Sequence, residues 1–307
     1  MKHSNKKIFL GLFSVILFTF SMFGCARKPL LQCACEQGKK ETNITEDNLL
    51  KTVNDDEIKW KNLNSEVISF YNQKKYTEAL NAAQKALNFS SLKFNLNHQY
   101  TATSLNNIAE IQRRLGKLKE SELYHEKALD VRRTALGKDH PDVATDLYNL
   151  GILFYSEKRN NEAKSRFEEA LKIWEKSLGK DHQNVLSTKN YLAELYKVEK
   201  DYPKAETVYN QIISTREKTL GKDSPLLAES LNNLATLYYL EGKYSQAEPL
   251  FNRTLAILEK TVGKNHPSIA IILDNIAQLY KYTGKVDKAN ELQKRANEIR
   301  TKPSKES

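Results

Sequence analysis

The sequence predicts an all-α protein, a solenoid of about six helix pairs. A phrase close to Leu-Gly-Lys-Asp-His-Pro recurs every 42 residues, and its glycine stands at positions 137, 179, 221 and 263 without a shift. Small residues recur at the same interval, and large apolar residues lie three and four positions from one another, the spacing of one buried stripe per helix. A fixed period of this length indicates stacked copies of one unit, because each copy buries its apolar face only against its neighbours.

Residues 1–24 have the layout of a secretory signal. Lysines at positions 2, 6 and 7 precede the apolar run Ile8–Phe20, and Gly24 comes directly before Cys25. The stretch 22–25 resembles a bacterial lipobox, although Met22 and Phe23 stand where a lipobox usually carries Leu and a small residue. The resemblance implies that Cys25 is acylated and anchors the mature protein in the bacterial envelope, at the outer membrane or the periplasmic face. An uncleaved membrane anchor and ordinary secretion are the alternatives.

Residues 25–56 are polar and show no sustained helical period, which predicts a flexible tether. Cys33 and Cys35 lie in this segment. Two thiols one residue apart cannot complete a four-ligand zinc site by themselves. A local disulfide or incidental cysteines, and alternatively a cross-link to another chain, fit this spacing.

The charge of the chain excludes a nucleic-acid footprint. Removing the three lysines of the signal lowers the net charge from +10 to +7. Spread over the rest of the chain, this charge predicts solubility and a mild attraction to acidic partners. No nucleic-acid-binding motif accompanies it, so we expect no nucleic-acid partner.

Residues 57–300 are predicted to form the solenoid, followed by a polar tail at 301–307. The repeats run approximately over 52–92, 93–136, 137–178, 179–220, 221–262 and 263–300. Each is predicted to be two antiparallel helices, for example roughly Pro141–Glu157 and Asn161–Leu178. Glycines at positions 116, 242 and 284 are expected to end first helices with positive φ, and the glycines of the recurring phrase to end second helices.

The repeated columns also resemble a known family. Stretches such as Leu-Asn-Asn-Leu-Ala-Thr-Leu-Tyr (231–238) and Gly-Lys-Tyr-Ser-Gln-Ala-Glu-Pro-Leu-Phe (242–251) are similar to the tetratricopeptide repeat, in its 42-residue kinesin-light-chain subtype. The resemblance covers about residues 59–300. It implies a right-handed superhelix whose concave wall is made by the first helix of each pair, with a peptide or a partner's helix in the groove.

No catalytic or cofactor motif is present in the sequence. It contains no HExxH, no phosphate-binding Gly-x-x-x-x-Gly-Lys-Ser/Thr and no nucleophile elbow, so we expect neither an enzyme nor a cofactor. His140, His182 and His266 occur once per repeat. Packed helices lie about 8–10 Å apart, too far for these side chains to share a zinc ion. We expect these histidines to cap or pack the starts of helices.

Two neighbouring columns on the first helices are rich in asparagine, which disfavours a helix interior by roughly 0.5 kcal/mol relative to alanine. The first column holds Asn64, Asn106, Tyr148, Asn190, Asn232 and Asp274, and the second holds Ser65, Asn107, Asn149, Tyr191, Asn233 and Asn275. The amides can bond between neighbouring helices and fix their register, or they can face the groove and bond a peptide backbone. The geometry of the family assigns peptide contact to Asn64, Asn106, Asn190 and Asn232.

A wall of mixed side chains is predicted around these asparagines. It pairs Ile68 with Tyr71, Glu110 with Arg113, Ile152 with Tyr155, Glu194 with Lys197, Thr236 with Tyr239, and Gln278 with Lys281. Its tyrosines, Tyr239 among them, are candidate anchors, and Tyr148, Ile152 and Tyr155 form the predicted hot spot. The wall lacks the dense lysine and arginine set with which tetratricopeptide clamps hold a terminal carboxylate.

The second repeat departs from its siblings at Gln112, Ser121 and His125, where they carry an aromatic, a small and usually an aromatic residue. Either a local hydrogen-bonded arrangement replaces the apolar contact, or the repeat is a looser joint that responds to protonation of His125. At the other end, Gln293 gives the last repeat a wettable face.

These observations predict a non-enzymatic, membrane-tethered scaffold that binds a protein or peptide partner in its groove. The alternative is a structural assembly factor of an envelope machine, such as a pilus or an outer-membrane insertion complex.

Overall fold

The computed structural model describes residues 46–301, with side chains from Asn54 onward, and all regular structure in this range is helical. From Thr52 onward the helices belong to one compact unit. In chain order they are α1 (Glu46–Asn72), α2 (Tyr76–Lys93), α3 (Gln99–Arg114), α4 (Leu118–Leu136), α5 (Pro141–Ser156), α6 (Asn160–Leu178), α7 (Gln183–Val198), α8 (Tyr202–Leu220), α9 (Pro225–Leu240), α10 (Tyr244–Thr261), α11 (Pro267–Tyr282) and α12 (Val286–Thr301).

The helices form six consecutive pairs, and each pair packs on the next, which confirms the predicted all-α solenoid. The predicted pair in the third repeat agrees with α5 and α6 to within one residue at each end. The predicted tether is too long, because α1 begins at Glu46 and residues 46–56 are helical. A helix extends at one hydrogen bond per residue once a packed turn has nucleated it, so this extension needs no apolar stripe. The predictions for the signal, Cys25, Cys33 and Cys35 fall outside the described residues.

The turns inside each pair use a left-handed residue, as predicted. Gly116, Gly242 and Gly284 have φ of 77°, 78° and 75°. The other three repeats place a lysine there, and these lysines have φ of 60° to 64°: Lys74, Lys158 and Lys200. This could not be predicted from the sequence, because a lysine in the left-handed region has a steric cost that only the surrounding packing offsets.

Four of the five turns between pairs are closed by histidine, whereas Ser224 at the start of α9 makes no side-chain capping bond. The Nδ1 atom of each helix-entry histidine accepts a hydrogen bond from the backbone amide two residues later, at 3.1–3.2 Å: His98, His140, His182 and His266. This satisfies one of the amides that a helix start leaves unpaired. The predicted capping role is confirmed. His98, which lies 42 residues before His140, caps its helix in the same way.

Small residues let the paired helices approach closely. At Gly151 an added Cβ atom would lie 2.5 Å from Cε1 of Phe167, so the ring occupies the space that a side chain would need. Phe167, Leu147 and Leu150 are fully buried in the core of the third repeat. The first helices are thereby held side by side along the solenoid, and this arrangement creates the face described next.

Candidate functional site

The face of the first helices carries rungs of side-chain amides. In each rung, the Nδ2 group of a second-column asparagine donates to the Oδ1 atom of a first-column asparagine one repeat earlier. The rungs join Asn107 to Asn64 (2.6 Å), Asn233 to Asn190 (2.9 Å) and Asn275 to Asn232 (3.1 Å). These bonds correspond to the inter-helix interpretation of the asparagine columns. Contact of Asn64, Asn190 and Asn232 with a peptide stays a prediction.

An aromatic rung takes the place of the amides between the third and fourth repeats. The rings of Tyr148 and Tyr191 meet edge to face with centroids 5.7 Å apart, and Tyr191 stacks on Phe167 at 4.9 Å. Burial raises the pKa of Tyr148, and burial raises the pKa of Tyr191 to about 12. Tyr148, expected to belong to the groove hot spot, is partly buried against the core, and its contact with a peptide stays a prediction. Ile152 and Tyr155 remain half-buried beside it.

The rung between the second and third repeats is missing. The Oδ1 atom of Asn106 is buried and has no hydrogen-bond partner among the described residues. Asn149, which the register places opposite Asn106, makes no such bond. Asn106 therefore makes no amide bond to the neighbouring first helix. Its contact with a peptide stays a prediction.

The wall has a second period of 84 residues, twice the repeat length. Odd repeats place an aliphatic or threonine residue three positions before a tyrosine, and even repeats place an acid or amide three positions before a cation. The odd pairs are Ile68/Tyr71, Ile152/Tyr155 and Thr236/Tyr239, and the even pairs are Glu110/Arg113, Glu194/Lys197 and Gln278/Lys281. Comparison of alternate repeats would have found this pattern in the sequence, whereas a 42-residue comparison averages it away.

The first tyrosine of the wall is fixed by the helix that follows. The hydroxyl of Tyr71 donates to Oε1 of Glu110 at 2.6 Å and accepts from Nε of Arg114 at 2.7 Å. Arg113 donates to both oxygens of Glu110 at 2.7 Å. Burial alone would raise the pKa of Glu110, but the hydrogen bonds and charges of these neighbours lower it. Tyr71 is therefore held rigidly over a charged network between α1 and α3.

The second and third tyrosines repeat this pairing with different chemistry. Tyr155 on α5 packs edge to face on Tyr191 of α7, with centroids 5.5 Å apart. Tyr239 on α9 meets Tyr282 of α11 at 5.6 Å and Tyr244 at 5.7 Å. Each wall tyrosine thus rests on the first helix of the next, even repeat. The first-helix face consists of three two-repeat units.

Glu194 separates the second and third tyrosines. It accepts a hydrogen bond from the hydroxyl of Tyr209 and forms an ion pair with Nζ of Lys197 at 2.5 Å. Nearby, Nη1 of Arg216 donates to the carbonyl oxygen of Leu226 at 2.7 Å and lies 3.6 Å from Glu229. Burial raises the pKa of Glu229, and Arg216 partly offsets this effect. The middle of the face therefore combines tyrosine rings with neutralised charge pairs.

The opposite face, formed by the second helices, is different in character. Its polar contacts between repeats are partly exposed ion pairs that recur at spacings of 36 and 37 residues, for example Arg253 with Glu217 at 2.6 Å and Lys285 with Glu248 at 2.9 Å. A shallow cleft between α8 and α10 contains the first of these pairs, together with Lys222.

Among residues 46–301, no group of three or more His, Cys, Asp or Glu side chains is placed to hold a metal ion. Within the same range, no helix has the length and apolarity needed to cross a bilayer.

A family model for the tetratricopeptide repeat matches residues 67–134, 100–176, 184–260 and 233–302. The chain belongs to the tetratricopeptide repeat family. Its predicted resemblance to that family is confirmed, and the fold is that of a protein–protein interaction scaffold.

Solved structures with this fold include kinesin-light-chain-like proteins. BtubC (BKLC) from P. vanneervenii has 22% sequence identity and a TM-score of 0.61, over 80% of this chain and 96% of that one. A candidate kinesin light chain of Podospora anserina with nearly identical TPR-like repeats has 20% identity and a TM-score of 0.58, over 66% and 96%. PilF of Pseudomonas aeruginosa has 16% identity and a TM-score of 0.55, over 77% and 90%. No curated protein matches the sequence.

Proposed function

We propose that this tetratricopeptide repeat protein is a non-enzymatic scaffold that binds an extended segment of a partner protein along its first-helix face. The observation that carries the proposal is the alternation of tyrosines with charge pairs along that face. Each tyrosine is half-buried, is held by a neighbouring helix and keeps part of its ring accessible. Rigid aromatic anchors of this kind bind partners at a low cost in side-chain entropy.

The spacing of the tyrosines describes the segment that would fit. Neighbouring first helices lie about 10 Å apart, so tyrosines on alternate repeats are separated by roughly 20 Å along the face. An extended chain covers this distance in about six residues. A partner segment that contacts Tyr71, Tyr155 and Tyr239 therefore places an apolar anchor at about every sixth position, with polar residues facing the charge pairs between them.

We also propose that the scaffold is attached by lipid at Cys25 to the bacterial envelope. The basic, apolar and lipobox-like sequence of residues 1–25 supports this placement. Metabolic labelling with a clickable fatty acid tests it: the wild-type chain is labelled and Cys25→Ser is not, whereas equal labelling of both chains contradicts acylation at Cys25.

The groove is tested by capture from envelope extract on the immobilised protein. A wall variant combines Tyr71→Ala, Tyr155→Ala and Tyr239→Ala. A matched control combines Leu92→Ala, Leu123→Ala and Leu220→Ala, which remove exposed apolar side chains from second helices or their ends. Proteins recovered by the wild type and the control but lost from the wall variant support the proposal. Equal recovery by the wall variant, with unchanged helicity, contradicts it.

A second candidate function is structural assembly within an envelope machine such as a pilus or an insertion complex. The exposed ion pairs and the cleft on the second helices favour it, because they offer a second contact surface. This function predicts the reverse outcome, in which charge reversals on α8 and α10 abolish capture and the wall variant does not.

A further inference from the structure

Helix α4 of the second repeat differs from α6 of the third repeat in what it buries. Three of the five buried side chains of α4 are polar: Ser121, His125 and Arg132. All five of α6 are apolar. Leu129 is the one buried residue of α4 that belongs to an apolar core cluster. The hydrophobic core is therefore thinner at α4 than at α6.

Four side chains of the second repeat have buried polar atoms without partners. Both ring nitrogens of His125, Oγ of Ser121, Oε1 of Gln112 and Oδ1 of Asn106 are buried without a hydrogen bond. They account for five of the eight such atoms in the described part of the chain. Burial of an unpaired polar group costs free energy that folding must offset elsewhere. This repeat is consequently the least stabilised by its own interior.

The 42-residue register shows what the second repeat has lost. In the third repeat, Phe167 stacks on Tyr191 and lies 5.7 Å from Tyr148. The corresponding positions 42 residues earlier hold His125, Asn149 and Asn106. An aromatic cluster is thus replaced by three polar side chains at the same junction.

The sixth repeat confirms that these columns meet. There, Nε2 of Gln293 donates to Oδ1 of Asp274 at 2.7 Å, and these residues share the columns of His125 and Asn106. A polar pair at this position can therefore be satisfied, and the pair in the second repeat is not.

Charge pairs join the second repeat to the third instead. Arginine side chains contact carboxylates across the junction five times: Arg132 with Asp142 (3.7 Å) and Asp146 (2.6 Å), Arg133 with Glu169 (2.6 Å), Arg159 with Glu122 (2.7 Å) and Arg166 with Glu126 (3.3 Å). The last three are partly exposed, and exposed ion pairs contribute little net stability. These ion pairs fix the register of the two repeats but add little to the stability of the junction.

We infer that α4 is a joint of the solenoid, the helix at which the native structure opens first and separates α1–α3 from α5–α12. Opening there changes the distance between Glu110 of α3 and Ile152 of α5, which adjoin on the wall. Access to the middle of the first-helix face is then governed by the second repeat.

Hydrogen exchange of the full chain, followed by mass spectrometry at neutral pH, tests this inference. We expect amides of α4 to exchange about tenfold faster than those of α6, or more. The repaired variant Gln112→Phe, Ser121→Ala, His125→Phe carries residues that the third repeat has at these positions. It should slow exchange in α4 to the rate of α6.

The converse exchange of residues provides the control. Phe167→His puts the polar group of the second repeat into the third, and we expect it to speed exchange in α6 while leaving α10 unchanged. If the repaired chain fails to fold, the single variant His125→Phe serves in its place. Exchange in α4 that is no faster than in α6 in the wild type would overturn the inference, as would repaired variants that leave the rate of α4 unchanged.

Discussion

The two faces of the solenoid are held together by different chemistry. Between first helices, neighbouring repeats are joined by half-buried amides and aromatic rings, such as Asn233 to Asn190 and Tyr155 to Tyr191. Between second helices, they are joined by exposed ion pairs such as Arg253 to Glu217. Half-buried polar contacts are costly to lose, whereas exposed pairs are screened by water and salt. The difference indicates that the first helices fix the solenoid and present its rigid groups.

Acid should destabilise α4, which is an exception to this difference because it is a second helix with buried polar side chains. Burial lowers the pKa of His125 to about 4, with Glu110 and Arg113 of α3 acting on it in opposite directions. Its unfolded pKa is near 6.5, so the stability from its neutral form is complete above pH 6.5 and is lost as the pH falls toward 4.

The expected loss is about 3 kcal/mol between pH 7 and pH 4. Chemical denaturation of the wild type and of His125→Phe at both pH values measures this loss of stability. The difference between the two chains cancels the contributions of other titrating groups. Asp146 is one of these other groups. Burial raises its pKa to about 6, so its contribution to the change of stability with pH has the opposite sign. A difference that does not change with pH would show that His125 is not neutral and buried.

Removing one wall tyrosine should produce the next largest effect. Tyr155→Ala is expected to weaken capture of the partner roughly 30-fold, about 2 kcal/mol, as is typical of an aromatic anchor. Titration of the captured protein against each variant measures it, with Leu123→Ala on α4 as the control. An equal effect from Leu123→Ala would erase the distinction between the faces.

The amide rungs allow a comparison within the first-helix face. Asn233→Ala leaves the Oδ1 atom of buried Asn190 without its donor and should destabilise the chain by about 1–2 kcal/mol. Asn149→Ala, at the same column of the third repeat, removes no such bond and should cost much less. Thermal unfolding of both variants checks this. Equal costs would mean that the rungs do not hold the register.

Much of this arrangement could be predicted from the sequence, because a repeat reports its register many times. The helix pairs, the left-handed glycines and the histidine caps all followed from a 42-residue spacing. The asparagine columns were found, but their partners were not, since an amide offers the same groups to a helix and to a peptide. The contacts of Tyr148 with Phe167 and Tyr191 could not be predicted either, because they depend on how α5 packs against two other helices.

The smallest effect is expected on the second-helix face. Glu217→Gln breaks the exposed pair with Arg253 and should cost less than about 1 kcal/mol, falling toward zero in 1 M salt. Denaturation at low and high salt measures it. A larger, salt-independent cost would show that these ion pairs contribute substantially to the stability of the solenoid. It would contradict the difference between the two faces.

The central claim is that the first-helix face binds the partner, and photo-crosslinking tests it most directly. A photoreactive amino acid is placed at Tyr155 on the wall or at Glu168, an exposed position of α6, and the chain is irradiated in its native envelope. We expect a discrete crosslinked product from position 155 and none from position 168. The same product from position 168, with none from position 155, would contradict it.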